Sequence, residues 1–215
     1  MSTIKHAVIS CAGLGSRLGL NQPKALVDFL GKTLVHRILE LLESIEDVRI
    51  VSGFMEKELM KHVLELRKDV VFVRNDNYIN SSNLYSLSLA AYGISDPYII
   101  MDGDLIIDKT SFESFVNFCA NKKESVIGIT ESKTEEAVFV DLDDDLRIIN
   151  FHRNHKTEYE WSGIAYISNI NIVSGERYVY SLFEPHLPLK SYPIKCYEID
   201  TPADMELALR EYQQD

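Results

Sequence analysis

Short apolar runs alternate with amphipathic stretches through the first hundred residues, and this alternation restricts the fold more than any other feature. The segments HAVIS, VRIVSG, VVFVRN and YIIMDGD have the composition of buried strands. Between them, TLVHRILELLESI, EKELMKHVLELRK and NLYSLSLAAYG repeat apolar residues at helical spacing. Strands separated by helices pair in parallel. We therefore predict a three-layer α/β/α Rossmann-like fold with a mostly parallel, mixed central sheet.

The second half has a different pattern. EAVFVDLDDDLRIINFH predicts two strands joined at the acidic turn 143–145, and WSGIAYIS predicts another strand. PIKCYEIDTPADMELALREY predicts a strand that leads into a helix, with Thr201 as N-cap, Pro202 at the first helical position and Asp204 as the acid of a capping box. We expect a single domain over residues 1–215, with a less regular second half.

Composition narrows the class of partner. The chain has 33 acidic and 22 basic residues, a formal net charge of −11, which argues against nucleic acid or an anionic membrane as the main partner. Its three cysteines are far apart and predict buried thiols. The first residues lack the pattern of a secretion signal, so we expect a cytoplasmic protein. A homodimer remains open.

A glycine-rich loop, SCAGLGSRLGLNQPKALV, follows the first predicted strand. Ligands of open α/β sheets bind beyond the carboxyl ends of the strands. Gly13 and Gly15 can expose successive backbone N–H groups and leave room for a phosphate. The Arg17 guanidinium can donate hydrogen bonds to two phosphate oxygens at once, and Lys24 supplies a compact positive charge. The loop is neither a Walker motif nor a dinucleotide fingerprint, and it predicts a triphosphate site.

The loop resembles the signature of nucleotidyltransferases that join a nucleoside triphosphate to a phosphorylated small molecule. Its short spacing between Arg17 and Pro23-Lys24 is similar to that of cytidylyltransferases. NDNYINSSNLYSLSLA, IIMDGDLII and YEIDTPAD resemble, in the same order, segments of bacterial Lic-type choline-phosphate cytidylyltransferases. The likeness is weaker between about Glu131 and Ser191. It implies a nucleotidyltransferase fold with a nucleotide-binding half, about 1–108, and an acceptor-binding half, about 109–215.

Two pairs of acids predict a metal site. Asp102 and Asp104 end a buried strand, and Glu198 and Asp200 share one face of another. Carboxylate and phosphate oxygens suit Mg²⁺. The resemblance implies that Asp104 and Asp200 ligate the ion directly, with Glu198 beside it or bridged by water. Asp102 is a candidate acceptor-side residue, or a turn or capping acid.

The implied reaction is attack of an acceptor phosphate oxygen on the α-phosphorus of CTP, with pyrophosphate as the leaving group. The attacking phosphate is already ionised, so no strong general base is needed. We place Lys24 at the α-phosphate, Arg17 at the β- and γ-phosphates, and the amides of Leu14, Gly15 and Ser16 around the triphosphate. The resemblance implies that backbone groups of Ala12 and Gly13 read the base. The side-chain candidates for this role, each of which could instead cap a helix, are Asn77, Ser82 and Asn83.

The segment FHRNHKTEYEWSG interleaves aromatic and acidic residues. Tyr159 and Trp161 with Glu160 could hold a substituted ammonium, which favours choline phosphate, ethanolamine phosphate or 2-aminoethylphosphonate as acceptor. Such a product would serve to decorate a surface polysaccharide or lipid. Tyr159 and Trp161 could instead pack beneath a hairpin. His152, Arg153 and His155 could meet the acceptor phosphate, although a solvated loop is the simpler interpretation.

Three other functions fit parts of the pattern. A sugar-1-phosphate nucleotidylyltransferase would share the loop, the lysine and the acids, but it typically has a longer chain. A glycosyltransferase could use the DGD segment, yet it would not need Arg17 and Lys24 in a glycine loop. A catalytically silent sensor would not need to keep every charge that the chemistry requires.

Overall fold

The computed structural model of the chain describes residues 4–175 and 178–212. The strands are β1 (His6–Ser10), β2 (Asp28–Phe29), β3 (Lys32–Thr33), β4 (Asp47–Ser52), β5 (Val70–Arg74), β6 (Tyr98–Asp102), β7 (Leu105–Ile107), β8 (Val126–Glu131), β9 (Phe139–Leu142), β10 (Arg147–His152), β11 (Tyr159–Ile167), β12 (Leu189–Pro193) and β13 (Cys196–Glu198). The α-helices are α1 (Leu34–Leu41), α2 (Glu56–Leu66), α3 (Asn83–Ala91), α4 (Lys109–Cys119) and α5 (Pro202–Glu211).

A nine-stranded sheet with the order β5-β4-β1-β6-β11-β8-β12-β10-β9 forms the middle layer. Strands β5, β4, β1 and β6 pair in parallel, as do β8 and β12. Strand β11 is antiparallel to β6 and β8, and β10 is antiparallel to β12 and β9. Only β10 and β11 therefore run against the other seven strands of this sheet. The predicted α/β class, with a mostly parallel mixed sheet, is confirmed.

Alternate residues of β1 face opposite helical layers. Ala7 and Ile9 belong to a core cluster with buried residues of α1, α2 and α4, whereas Val8 packs with buried residues of α3. All three of these β1 side chains are fully buried. Burial of one large aliphatic side chain stabilises the folded state by about 1.5–3 kcal/mol. The apolar residues on both faces of β1 therefore hold helices against both sides of the sheet. The three-layer arrangement follows from this two-sided burial.

Most of the predicted elements appear close to their expected bounds. The acidic turn joins β9 to β10, where the Asp143 carboxylate accepts hydrogen bonds from the amides of Asp145 and Arg147. Thr201 caps α5, and Asp204 completes the capping box. Elements α4, β8 and β12 have no counterpart among the sequence-based predictions, because they lie between the recognised motifs. Within the described residues, none of the helices combines the length and apolarity needed to cross a membrane.

Strand register brings the acidic segments to the loop. Ser10 at the end of β1 pairs with Asp102 at the end of β6, so the loop that follows β1 lies beside the DGD segment. Gly103 permits this close approach, because a β-carbon there would collide with Cys11 and with the Ser10 carbonyl. Strand β13 pairs with β7, and the Ile199 amide donates to the Asp104 carbonyl at 2.9 Å. The C-terminal acids therefore reach the same edge of the sheet.

Candidate active site

The glycine loop sets the positions of two cations. Gly15 has a φ of +62°, and a β-carbon there would lie 2.6 Å from Cγ of Lys24. Both the conformation and the close approach therefore require glycine. The Gly15 carbonyl accepts from the Leu18 amide at 3.2 Å, which closes a 3₁₀ turn, Ser16–Leu18, carrying Arg17. The side chain of Ser16 lies outside the described part of the chain.

The two cations meet two of the acids predicted to ligate a metal. Lys24 Nζ donates to Asp104 Oδ2 at 3.0 Å and also pairs with Asp200 Oδ1. Arg17 pairs with the other carboxylate oxygen of Asp200. Asp200 is buried and Arg17 is more than half exposed, so this contact spans the edge of the site. The structure thus brings together Arg17 and Lys24 of the glycine loop, Asp104 of the DGD segment, and Glu198 and Asp200 of the C-terminal segment.

Three carboxylates at this edge fit a hard cation. Asp104, Glu198 and Asp200 each offer an oxygen, and these atoms lie within 4.8 Å of one another. The second oxygen of Asp104 is buried and has no hydrogen-bond partner among the described residues. A buried carboxylate oxygen without a partner is costly unless a cation or proton satisfies it. The donor set is therefore suited to Mg²⁺, which takes a few carboxylates and completes its shell with water and phosphate.

The closely spaced charges shift the pKa values of three side chains in the site. Burial and the nearby Asp104 carboxylate raise the pKa of Asp102 to about 7, despite a hydrogen bond from Asn83. Enclosure of the Glu198 carboxyl group and repulsion by Asp104 and Asp102 raise its pKa well above the ordinary value, although part of its side chain is open to solvent. Burial alone would lower the pKa of Lys24, but the Asp104 and Asp200 carboxylates raise it. These acids therefore repel one another until cations neutralise them.

A cavity of about 340 Å³ opens over the loop. Its lining includes, of the residues predicted for nucleotide and metal, Ala12, Gly13, Leu14, Gly15, Arg17, Lys24, Ser82, Asn83, Asp104, Glu198 and Asp200. Asn83 connects two strand ends here, because its amide donates to Asp102 Oδ1 at 2.6 Å while its carbonyl oxygen accepts from Ser10. The Ala12 carbonyl already accepts from the Phe54 amide at 3.2 Å.

Of the predicted base-reading side chains, Ser82 lines the cavity with its hydroxyl already hydrogen-bonded, and Asn77 does not line it. Ser82 is the N-cap of α3: its hydroxyl accepts from the Tyr85 amide at 3.1 Å and donates to the Gly175 carbonyl at 2.6 Å. Asn77 is exposed and is not among the residues that line either described cavity. The buried asparagine is instead Asn75, which donates to two serine hydroxyls and orders this loop.

A second, larger cleft of about 1040 Å³ adjoins the first. The residues that line both cavities are Arg17, Ser81, Ser82, Asn83, Asp102, Glu198 and Asp200. Both cavities thus border the same acids and the same arginine. Two anionic substrates held in them would meet at this shared wall.

The larger cleft holds two of the three residues predicted from the aromatic segment. Trp161 and Glu160 line it, both half-buried, and Trp161 meets the edge of the Phe183 ring with centroids 5.9 Å apart. Burial raises the pKa of Glu160, whose carboxylate accepts from the Lys133 amide at 3.3 Å. Tyr159 packs against the core instead and is absent from the lining within the described chain.

Several residues that line this cleft, among them Lys133, Tyr178 and Tyr180, have no role in the sequence-based predictions, and Arg153 is predicted in a solvated loop. Lys133 lies 5.2 Å from the centre of the Tyr197 ring and donates to the Thr130 hydroxyl at 2.7 Å. Arg153 lies 5.3 Å from the centre of the Tyr178 ring, which stacks on that of Tyr180. The closely spaced tyrosines in RYVYS were the available signal.

Comparison with known proteins identifies the family and the fold of the chain. A family model described as MobA-like NTP transferase domain matches residues 7–183. Choline-phosphate cytidylyltransferase of Streptococcus pneumoniae is 34% identical over 113 residues, 50% of this chain and 48% of that protein. Bifunctional protein GlmU of Methanococcus vannielii is 24% identical over 188 residues, 85% of this chain and 43% of that protein. The chain therefore spans less than half the length of these curated relatives.

A solved structure shares the fold over the whole chain. The inositol-1-phosphate CTP transferase from T. maritima superposes with a TM-score of 0.78 at 19% identity, covering 99% of both chains. At this identity the likeness concerns the backbone arrangement, which matches the nucleotidyltransferase fold expected from the glycine loop and the acids.

Proposed function

The chain belongs to the MobA-like NTP transferase domain family, and from this premise we propose that it transfers the cytidylyl group of CTP to a small phosphorylated acceptor. The family assignment confirms the expectation of a nucleotidyltransferase domain. The observation that carries the proposal is the shared wall: Arg17, Glu198 and Asp200 border both cavities, and Lys24 pairs with Asp200 from the smaller one. We retain the two halves, about 1–108 for the nucleotide and about 109–215 for the acceptor.

CTP is the proposed nucleotide for two reasons. The spacing between Arg17 and Pro23-Lys24 resembles that of cytidylyltransferases. Two of the compared proteins also carry CTP or cytidylyl transfer in their names. The cavity of about 340 Å³ over the loop is the place for the triphosphate and nucleoside, with Gly13 and Gly15 against the phosphates.

The residues divide the chemistry between them. Lys24 holds the α-phosphate and compensates the charge that develops on it, while Arg17 binds the outer phosphates. Triphosphate oxygens must compete with Asp200 for both cations, because Asp200 pairs with both. Asp104, Glu198 and Asp200 would hold Mg²⁺, whose chemistry here is to neutralise phosphate charge and favour departure of pyrophosphate.

We propose a small zwitterion with an ammonium group as the acceptor. Trp161, Tyr178 and Tyr180 supply aromatic faces in the larger cleft, and Glu160 supplies a carboxylate. A cation over an aromatic ring gains about 0.5–2 kcal/mol, depending on desolvation. Lys133 and Arg153 also line the larger cleft, where their charges can pair with the acceptor phosphate. Choline phosphate, ethanolamine phosphate and 2-aminoethylphosphonate all satisfy this pattern.

A sugar or polyol phosphate is the second candidate. The cleft of about 1040 Å³ exceeds the needs of a small zwitterion, since drug-sized ligands occupy sites of about 300–1,000 Å³. The compared T. maritima protein is named for inositol 1-phosphate. Such an acceptor would use the polar groups of the cleft and leave its aromatic faces without a cation.

We also propose that the enzyme works in the cytoplasm. Cys11, Cys119 and Cys196 are buried and free, which suits a reducing compartment that also supplies nucleoside triphosphates. Burial raises the pKa of Cys119 and Cys196 to about 12, so neither is a reactive thiolate at neutral pH.

The proposal is tested by measuring pyrophosphate release for CTP, UTP, ATP and GTP with each acceptor in the presence of Mg²⁺. We expect the highest kcat/KM with CTP and an ammonium-bearing phosphate or phosphonate. Faster turnover with another nucleotide would overturn the choice of CTP. A higher kcat/KM with a sugar or inositol phosphate would replace the zwitterion by the second candidate.

A further inference from the structure

We propose that the β9–β10 hairpin and the loop after it carry a second divalent-metal site, formed by Asp141, His152 and His155, for a nitrogen-preferring ion such as Zn²⁺. Nothing in the nucleotidyl-transfer chemistry uses these residues. Within the described chain, none of the three lines either cavity, so the site stands apart from the carboxylates assigned to Mg²⁺.

Strand register places the first two ligands on one face. Asp141 pairs with Asn150, and Phe139 pairs with His152, so the carboxylate and the imidazole are diagonal neighbours. Nε2 of His152 lies 3.4 Å from Oδ1 of Asp141. Ligand atoms bound to one tetrahedral zinc at 2.0–2.2 Å are themselves about 3.4 Å apart, so this separation already matches one edge of such a site.

His152 needs a partner that the protein does not supply. Its side chain is only 7% exposed, and neither ring nitrogen has a hydrogen-bond partner among the described residues. The approach to Asp141 has the separation of an ion pair without the geometry of a hydrogen bond. Buried polar atoms are nearly always satisfied, and a neutral imidazole nitrogen is a common ligand of metal ions.

The surroundings orient the carboxylate and complete the donor set. The Asn150 amide donates to Oδ2 of Asp141 at 3.0 Å and so fixes the carboxylate in the way that outer hydrogen bonds fix metal ligands. His155 is exposed and its ring stacks on His152, with centroids 4.4 Å apart. Stacked rings cannot both direct a nitrogen at one ion, so His155 must turn about its side-chain torsions when it ligates. A ligand atom from each residue already lies within 4.8 Å of the others.

Donor chemistry selects the kind of ion. Two imidazoles and one carboxylate suit zinc and its neighbours in the transition series, whereas Mg²⁺ prefers oxygen alone. Three protein ligands also leave a coordination position for water. The site therefore discriminates against the ion that the carboxylate cluster is built to hold.

The experiment is a calorimetric titration of tag-free protein with Zn²⁺ in excess Mg²⁺, which occupies the carboxylate cluster. The test variants are His155→Ala and Asp141→Asn, and the matched control is His186→Ala, an exposed histidine outside the site. Co²⁺ absorption in the visible range identifies the geometry. Circular dichroism shows that each variant is folded.

We expect one equivalent of Zn²⁺ to bind the wild-type protein and Co²⁺ to give the intense bands of a four-coordinate site. Each test variant should weaken Zn²⁺ binding by at least about tenfold, while His186→Ala binds as the wild-type does. Absence of binding in excess Mg²⁺ would overturn the proposal. So would unchanged affinity in both folded test variants, or an equal loss in the control.

Discussion

The two cavities are built in different ways, although they share a wall. The smaller one is formed at adjacent ends of β1 and β6, where hydrogen-bond register fixes Ser10 opposite Asp102. The larger one collects side chains from separate strands and loops, such as Lys133, Arg153 and Tyr178. Backbone register therefore determines the proposed site for phosphate and metal, whereas side-chain packing determines the proposed acceptor cleft. We expect the former to tolerate little change and the latter to tune specificity.

The largest expected effect tests the smaller cavity. Asp104→Asn or Asp200→Asn should lower Mg²⁺-dependent turnover by about 10³-fold, because each removes a charge that holds the cation against the triphosphate. Pyrophosphate release as a function of Mg²⁺ concentration measures the effect. Asp144→Asn, which changes an exposed turn acid, is the control. A wild-type Mg²⁺ profile in either variant would remove that residue from the metal site.

Lys24→Ala tests the other half of the same cavity. We expect turnover to fall by about 10²–10³-fold, the loss typical of one transition-state charge partner. The loss should be equal for all acceptors, because Lys24 acts on the nucleotide. Lys32→Ala, at an exposed ion pair with Glu40, serves as control. If folded Lys24→Ala keeps most of its turnover, or loses it for one acceptor only, the division between the cavities fails.

These two cavities also differ in how well the sequence predicts them. Arg17, Lys24, Asp104 and Asp200 lie in short motifs next to strand ends, and a strand end has a known place in an α/β sheet. The residues of the larger cleft come from distant segments of the chain. No motif in the sequence therefore predicts that Lys133 lies there. Sequence also could not tell that Asn75 would be buried and Asn77 exposed, because their directions depend on the loop that both residues form.

Substitution in the acceptor cleft should have a selective effect. Trp161→Ala should raise KM for an ammonium-bearing acceptor by about tenfold, the equivalent of 1.4 kcal/mol, while leaving KM for CTP unchanged. Glu160→Gln should act in the same direction and most strongly on a primary ammonium. Tyr159→Phe is the control, because Tyr159 packs on the core. Equal changes for sugar phosphates and zwitterions would show that the ammonium is not recognised here.

The smallest effect concerns stability in the absence of metal. Asp102 has a folded pKa of about 7, above its ordinary value of 3.8, so the folded state keeps a proton that the unfolded state loses. The free energy of unfolding should therefore fall as pH rises from about 4 to about 7, by at most about 1.4 kcal/mol per pH unit for one proton, and then level off.

Urea unfolding of the metal-free protein at several pH values measures this slope. Asp102→Asn should flatten it, because the amide does not titrate. Glu198 contributes in the same direction and retains part of the slope in that variant. A slope that is unchanged by Asp102→Asn would show that the crowding of acids at the shared wall does not involve Asp102.

The central claim is that the two cavities join the α-phosphate of CTP to an acceptor phosphate across the wall that they share. CTP labelled at the α-phosphorus tests this directly when it is incubated with Mg²⁺ and a phosphorylated acceptor. The account predicts that the label moves into a cytidine diphosphate conjugate of the acceptor and that unlabelled pyrophosphate forms in equal amount. Label found only in CMP, or a labelled product that forms equally without acceptor, would contradict it.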